Sequence, residues 1–170
     1  MNWINFYEMI GGAAATLLGL LFVSVSVNAE KILGSTHTHS RRLAEQAFQN
    51  YLAVLMISLM GVFPGVSTAS YGLTILWIIS VWSVWILIRL YQVLTRPVFD
   101  ESRKVTLRRF AASIIGFGLL IYGGVNMALG NGDYHQTISI ALLVLLLSAT
   151  VVSWELLISV ADEKHGPRES

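Results

Sequence analysis

The chain contains no cysteine and only three prolines, and charged side chains make up 12% of its 170 residues. Without cysteine there is no disulfide framework, thiol nucleophile or thiolate metal site. The scarcity of charge, with 55% hydrophobic residues, excludes an ordinary water-soluble domain, which carries roughly 25% charged residues. A core of this size could not hide so much apolar surface from water. Charge of one sign is also missing locally: residues 1–9, 66–70 and 130–136 hold no lysine or arginine.

What is there alternates with those gaps. Lysines and arginines gather in 30–47, 95–109 and 161–170, between long apolar runs. A bilayer-spanning helix needs about 20 apolar residues. Five segments meet that scale, at about 9–28, 48–63, 71–94, 108–129 and 136–160. The reading is an all-α polytopic bundle forming a single transmembrane domain over 1–170, one helix followed by two helical hairpins. Five crossings place every basic loop on one side, and basic short loops stay cytoplasmic. The expected topology is amino terminus outside and carboxyl terminus inside, in a cell membrane.

Local signals fit this plan. Trp3, Phe6 and Tyr7 precede helix one as an interfacial aromatic anchor. Val27-Asn28-Ala29 resembles a signal-peptidase site, but Glu8 is the sole charge in 1–9 and positive charge follows the segment, as in an uncleaved helix. Ser40 is placed to N-cap a short continuation, Arg41 to Gln49, into helix two. Pro64-Gly65 ends helix two, since proline lacks the amide hydrogen a helix interior uses. Asp100 and Glu101 suit the start of helix four, and Gly130-Asn131-Gly132-Asp133 reads as a turn.

Small residues suggest packing faces. Gly11, Ala15 and Gly19 recur every four residues on helix one, and Gly116, Gly124 and Ala128 lie on a similar stripe of helix four. Such residues let backbones approach closely where lipid supplies no hydrophobic drive between helices. They serve either the inside of the bundle or a subunit interface, and a homo-oligomer is expected.

Polar residues collect toward the cytoplasmic half. Ser24 and Asn28 share a face of helix one; Ser148, Glu155 and Ser159 follow a stripe of helix five. Arg89 lies seven residues before Arg96, and Glu155 seven before Asp162, so each sits about 10 Å inside its helix end. Equal depth makes an Arg89–Glu155 ion pair plausible, with snorkelling of Arg89 to the headgroups as the alternative. Arg103, Lys104, Arg108 and Arg109 are placed to meet anionic lipid headgroups, a commoner use of such residues than nucleic acid. Glu8 and Asp133 lie at the outer boundary, where oligomerisation would gather them into a cation-attracting ring. Trp77, Trp82 and Trp85 read as packing residues of helix three, and Asn126 as an interhelical hydrogen-bonding group.

His37 and His39 share a loop, but the other two histidines, His135 and His165, fall on opposite sides of the membrane, so no metal site is expected. No phosphate-binding glycine loop or nucleophile with a nearby base appears, and neither enzymatic activity nor a cofactor is expected. The stretch from Gly12 to Asn28 (GAAATLLGLLFVSVSVN) resembles the opening helix of small uncharacterised bacterial polytopic membrane proteins, over about a tenth of the chain. That resemblance implies a bacterial inner membrane and carries no mechanism. Two functions remain. One is a homo-oligomeric ion or small-solute channel lined by Ser24, Asn28 and the helix-five stripe. The other is a non-conducting interaction or regulatory subunit that docks through its small-residue faces.

Overall fold

The computed structural model describes residues 3–29, 32, 38–95 and 103–162. They form five helices: α1 (Trp3–Val27), α2 (Thr38–Val62), α3 (Thr68–Thr95), α4 (Arg103–Ala128) and α5 (His135–Asp162). No strand occurs among the described residues. The amino end of α1 and the 62–68 and 128–135 connections mark what we term the turn end. The starts of α2 and α4 mark the basic end.

Two expected boundaries move. Trp3, Phe6 and Tyr7 belong to α1 itself rather than preceding it. Ser40 is not an N-cap: α2 already begins at Thr38, and the Ser40 hydroxyl lies 3.3 Å from that of Ser159 on α5. Asp100 and Glu101 lie outside the described residues.

The turn chemistry follows the sequence closely. Gly65 and Gly130 adopt φ of 82° and 72°, the left-handed region that costs a side chain energy. At the end of α4, the Gly130 amide donates to the Met127 carbonyl and the Asn131 amide to that of Asn126, the paired bonds of a Schellman motif. The Asp133 carboxylate accepts the His135 amide at 3.1 Å and caps α5. The Ser67 hydroxyl accepts the Ser70 amide at 3.2 Å and caps α3.

Packing does not follow chain order. α1 lies on α2, α2 on α5, α5 on α4 and α4 on α3, whereas α2 and α3, joined by a short turn, share little surface. Helix α5 is therefore central. Its buried residues Ile138, Ala141, Leu142, Leu145, Ala149, Val152, Leu156 and Val160 recur at helical spacing. Around them stand two apolar clusters. One, toward the turn end, joins Tyr7, Ile10, Val54, Ile57, Tyr71, Ile75, Leu120, Met127 and Leu142. The other, toward the basic end, joins Leu21, Leu43, Ala47, Tyr51, Val152 and Leu156.

Where α3 meets α4 the backbones nearly touch. A methyl group added at Gly72 would stand 2.6 Å from the Gly124 carbonyl oxygen and 2.7 Å from the Ala128 nitrogen. Gly116 likewise lies under Leu145, so the small stripe of α4 is consumed inside the bundle.

The outside of the fold is apolar. Met9, Phe22, Trp77, Ile114, Leu147 and Trp154, one or more on each of α1, α3, α4 and α5, are exposed, as are Met56 and Leu59 of α2. Among the described residues, Trp3–Val27 and His135–Ala161 are long and apolar enough to cross a membrane, and Thr68–Trp82 and Ala112–Ala128 are shorter apolar helical stretches.

Candidate functional site

Two polar clusters interrupt the apolar interior, one near each end. At the turn end, α1, α3 and α5 converge on His135. Its Nδ1 lies 2.7 Å from the Tyr7 hydroxyl. The rings of Trp3 and Tyr71 lie nearly parallel to the imidazole at 5.8 and 5.6 Å, and the Tyr7 ring meets it edge-on. The Tyr71 hydroxyl donates to the Ile57 carbonyl of α2 at 3.1 Å, so all four helices are tied together. Tyr7 and Tyr71 are buried, while the His135 side chain keeps 20% of its surface exposed. Room for the Tyr7 ring comes from Gly61, where an added methyl would stand 2.7 Å from the ring. Asp133 places a carboxylate oxygen 3.7 Å from His135 Nε2. In the neutral tautomer with hydrogen on Nε2, Nδ1 is free to accept from the Tyr7 hydroxyl. The spacing between Tyr7 and His135 in the chain, 128 residues, hid this cluster from sequence reasoning.

The second cluster lies toward the basic end. The Asn50 amide of α2 donates to the Ser113 hydroxyl of α4 at 2.9 Å, and Ser113 pairs with Ser148 of α5 at 3.1 Å. All three are buried. One turn further, the Tyr51 hydroxyl donates to Thr150 at 3.3 Å and accepts from Ser153 at 3.4 Å. These bonds fasten α5 to α2 and α4, since hydroxyls and amides removed from water need partners. Each polar residue was visible as an interruption of an apolar run, but only folding supplies the pairing.

The remaining sequence-selected residues fall as follows. Ser24 of α1 and Asn28, one residue past its end, are both half-buried, and the Asn28 side-chain amide donates to the Ser24 carbonyl at 3.0 Å, within its own chain segment. The Ser159 hydroxyl donates to the Leu156 carbonyl at 2.8 Å and faces Ser40. Glu155 is half-buried on α5 between Val152 and Ser159. The Arg89 side chain, and those of Arg103, Lys104, Arg108 and Arg109, lie outside the described residues, and the proposed Arg89–Glu155 pair with them. Glu8 is exposed, as is Asp133. Asn126 donates to the Tyr122 carbonyl and accepts from Asn131, so it completes the end of its own helix rather than bridging to another.

The stripe Gly11, Ala15, Gly19 splits. Gly11 is buried against Ser58, whose Cβ would lie 3.0 Å from an added methyl, whereas Ala15 and Gly19 are exposed. A methyl group added at Gly12 or Gly19 would meet nothing from the other described helices within 4 Å. Among the described residues no group of three or more His, Asp or Glu is placed to hold a metal ion. No protein-family model, curated protein or solved structure matches this chain.

Proposed function

We propose that the chain is a five-span membrane protein, amino terminus outside and carboxyl terminus cytoplasmic, acting as a non-conducting subunit that binds another membrane helix along α1. The five helices run 25–28 residues. At 1.5 Å per residue they are about 37–42 Å long, enough for a hydrocarbon core of about 30 Å. Their apolar perimeter and the gathering of every lysine and arginine but Arg89 in 30–47, 95–109 and 161–170 support the five crossings. In this orientation Arg103, Lys104, Arg108 and Arg109 meet the headgroups of the inner leaflet.

The observation that carries the role is the state of α1. It packs mainly on α2, and among the described residues nothing covers its face bearing Gly12, Ala15, Thr16 and Gly19. Thr16 turns its hydroxyl back to the Gly12 carbonyl at 2.9 Å, so this face offers close backbone approach rather than a polar lining. Within one bundle the two polar clusters are separated by a layer containing Val54, Ile57, Leu120, Leu142 and Leu145, all 0% exposed. Ser139 and Ser148 on α5 bracket that layer, nine residues or about 13 Å apart. A layer of closely packed apolar side chains of that thickness supports a non-conducting bundle.

Energy transfer between donor- and acceptor-labelled copies in liposomes tests the association. Gly12→Leu with Gly19→Leu is expected to reduce transfer to background while the fold stays intact. Unchanged transfer removes α1 as a self-association face. A second reading, a homo-oligomeric channel with α1 around the axis, draws on Glu8, which is exposed near the start of that helix. It requires currents in planar bilayers that Glu8→Gln diminishes; the non-conducting reading requires silence from both.

A further inference from the structure

The turn-end cluster does more than pack. In the neutral tautomer with hydrogen on Nε2, the imidazole of His135 accepts the Tyr7 hydroxyl at Nδ1, 2.7 Å away, while the solvated Asp133 carboxylate stands 3.7 Å from Nε2. The neutral ring thereby joins the start of α5 to the start of α1. We propose that His135 is a proton-operated clasp: neutral, it holds the amino end of α1 against α5, and protonated, it releases it.

The chemistry follows from the atoms that face the ring. A proton taken up from water attaches to the Nδ1 lone pair, the acceptor of the Tyr7 hydrogen bond, and no other bond forms or breaks covalently. Nδ1 then carries a hydrogen toward a hydroxyl whose own hydrogen points back at it. The Tyr7 hydroxyl can keep the contact only by turning its hydrogen elsewhere, into surroundings shared with the Tyr71 and Ser139 hydroxyls. The imidazolium must also give up much of its hydration, because Tyr7 and Tyr71 are buried and Trp3 covers it further. Ring faces return part of that loss. Asp133, 64% exposed at 3.7 Å, is well solvated and returns little.

No other charged group of the described residues lies within 4 Å of the ring nitrogens. From α1, Glu8 follows Tyr7 and is exposed; from α3 comes the neutral Tyr71; from α2 comes the Ile57 carbonyl, already engaged by Tyr71. Tyr134 of the turn packs edge-on against Tyr122 of α4. Residues 1–9, 66–70 and 130–136 contribute no lysine or arginine whose removal could offset the new charge. The remaining grip on α1 at this level is its packing on α2, the edge-on contact of Tyr7 with Tyr71 of α3 and the stacking of Trp3 on the His135 ring. The ring's exposed fifth, 20% of the side chain, gives protons access from the aqueous phase without unfolding.

The absence of native cysteine makes the test direct. Ile4→Cys and Gln136→Cys place spin labels at two exposed positions beside the clasp, in full-length protein in lipid nanodiscs. At pH 8 a single narrow distance is expected; at pH 5 at least half of that population should move to a longer, broader distribution. His135→Gln should give the same distribution at both pH values, and Tyr7→Phe should show the broad component already at pH 8. A wild-type distance unchanged between pH 8 and pH 5 overturns the proposal. So does a pH response that survives in His135→Gln, which assigns the sensor to a carboxylate. Should His135→Gln fail to fold, the imidazole nitrogen shifts of 15N-histidine-labelled wild type decide: protonation of His135 in step with the distance change supports the clasp, and a ring that stays neutral through that change overturns it.

Discussion

Adding one methyl group at Gly72 is the sharpest perturbation of the packing described above. The new Cβ would lie 2.6 Å from the Gly124 carbonyl oxygen, 2.7 Å from the Ala128 nitrogen and 2.8 Å from the Met127 Cβ. Ordinary van der Waals contacts between such atoms begin near 3.5 Å, so α3 and α4 must separate by close to 1 Å at their crossing. Two of the three obstructing atoms are backbone and cannot rotate away. Overpacking of this kind costs about 1–3 kcal/mol. Alanine's better helix propensity returns at most about 1 kcal/mol. Gly72→Ala should therefore destabilise by about 0–2 kcal/mol net, and by about 1–3 kcal/mol relative to an unobstructed glycine such as Gly118. Gly124→Ala should cost less, because its nearest neighbours would be the Ile75 Cγ2 at 3.3 Å and the Gly72 oxygen at 3.4 Å. Gly118→Ala, with nothing within 4 Å, should be neutral or slightly stabilising. Reversible unfolding of the three variants in mixed detergent micelles measures the series. A Gly72→Ala variant as stable as Gly118→Ala would refute the α3–α4 crossing.

Two further predictions concern polar and strained positions. Asn50→Leu should cost about 1 kcal/mol, since Ser113 and Ser148 keep each other, whereas Ser113→Ala strands both neighbours and should cost about 1–3 kcal/mol; unfolding in micelles ranks them. Gly130→Ala forces a side chain to φ 72° and should lower stability by about 1–2 kcal/mol, read as a fall in melting temperature that Gly130→Asn partly avoids.

Much of this fold is written locally. Helix number and turn positions follow from apolar run lengths and from Pro64, Gly65, Gly130 and Asp133, each of which acts on its own backbone neighbours. The lateral order of helices is not local. Nothing in the short 62–68 turn says that α2 and α3 diverge and that α5 fills the place beside α2. The same limit explains the α1 stripe. A step of four residues advances about 400° around a helix, so Gly11, Ala15 and Gly19 drift by about 40° each and leave a narrow contact. Gly11 meets α2, and the other two face outward. Ser148 was legible as a polar residue in an apolar run, but its partners Asn50 and Ser113 lie on other helices. The clasp was harder still. Trp3 and Tyr7 carry the ordinary signature of interfacial aromatics, and nothing in their spacing points to His135, which the turn after α4 brings to them.

Five crossings with all basic loops on one side underlie the functional reading, and sided labelling tests them most directly. In the cysteine-free chain, single cysteines at Ser67, Gly132, Ser102 and Ser170 each report one loop or terminus. The account predicts that an impermeant maleimide applied to intact cells modifies the first two, and reaches the last two only after permeabilisation. Labelling of Gly132→Cys and Ser170→Cys from the same side would contradict it.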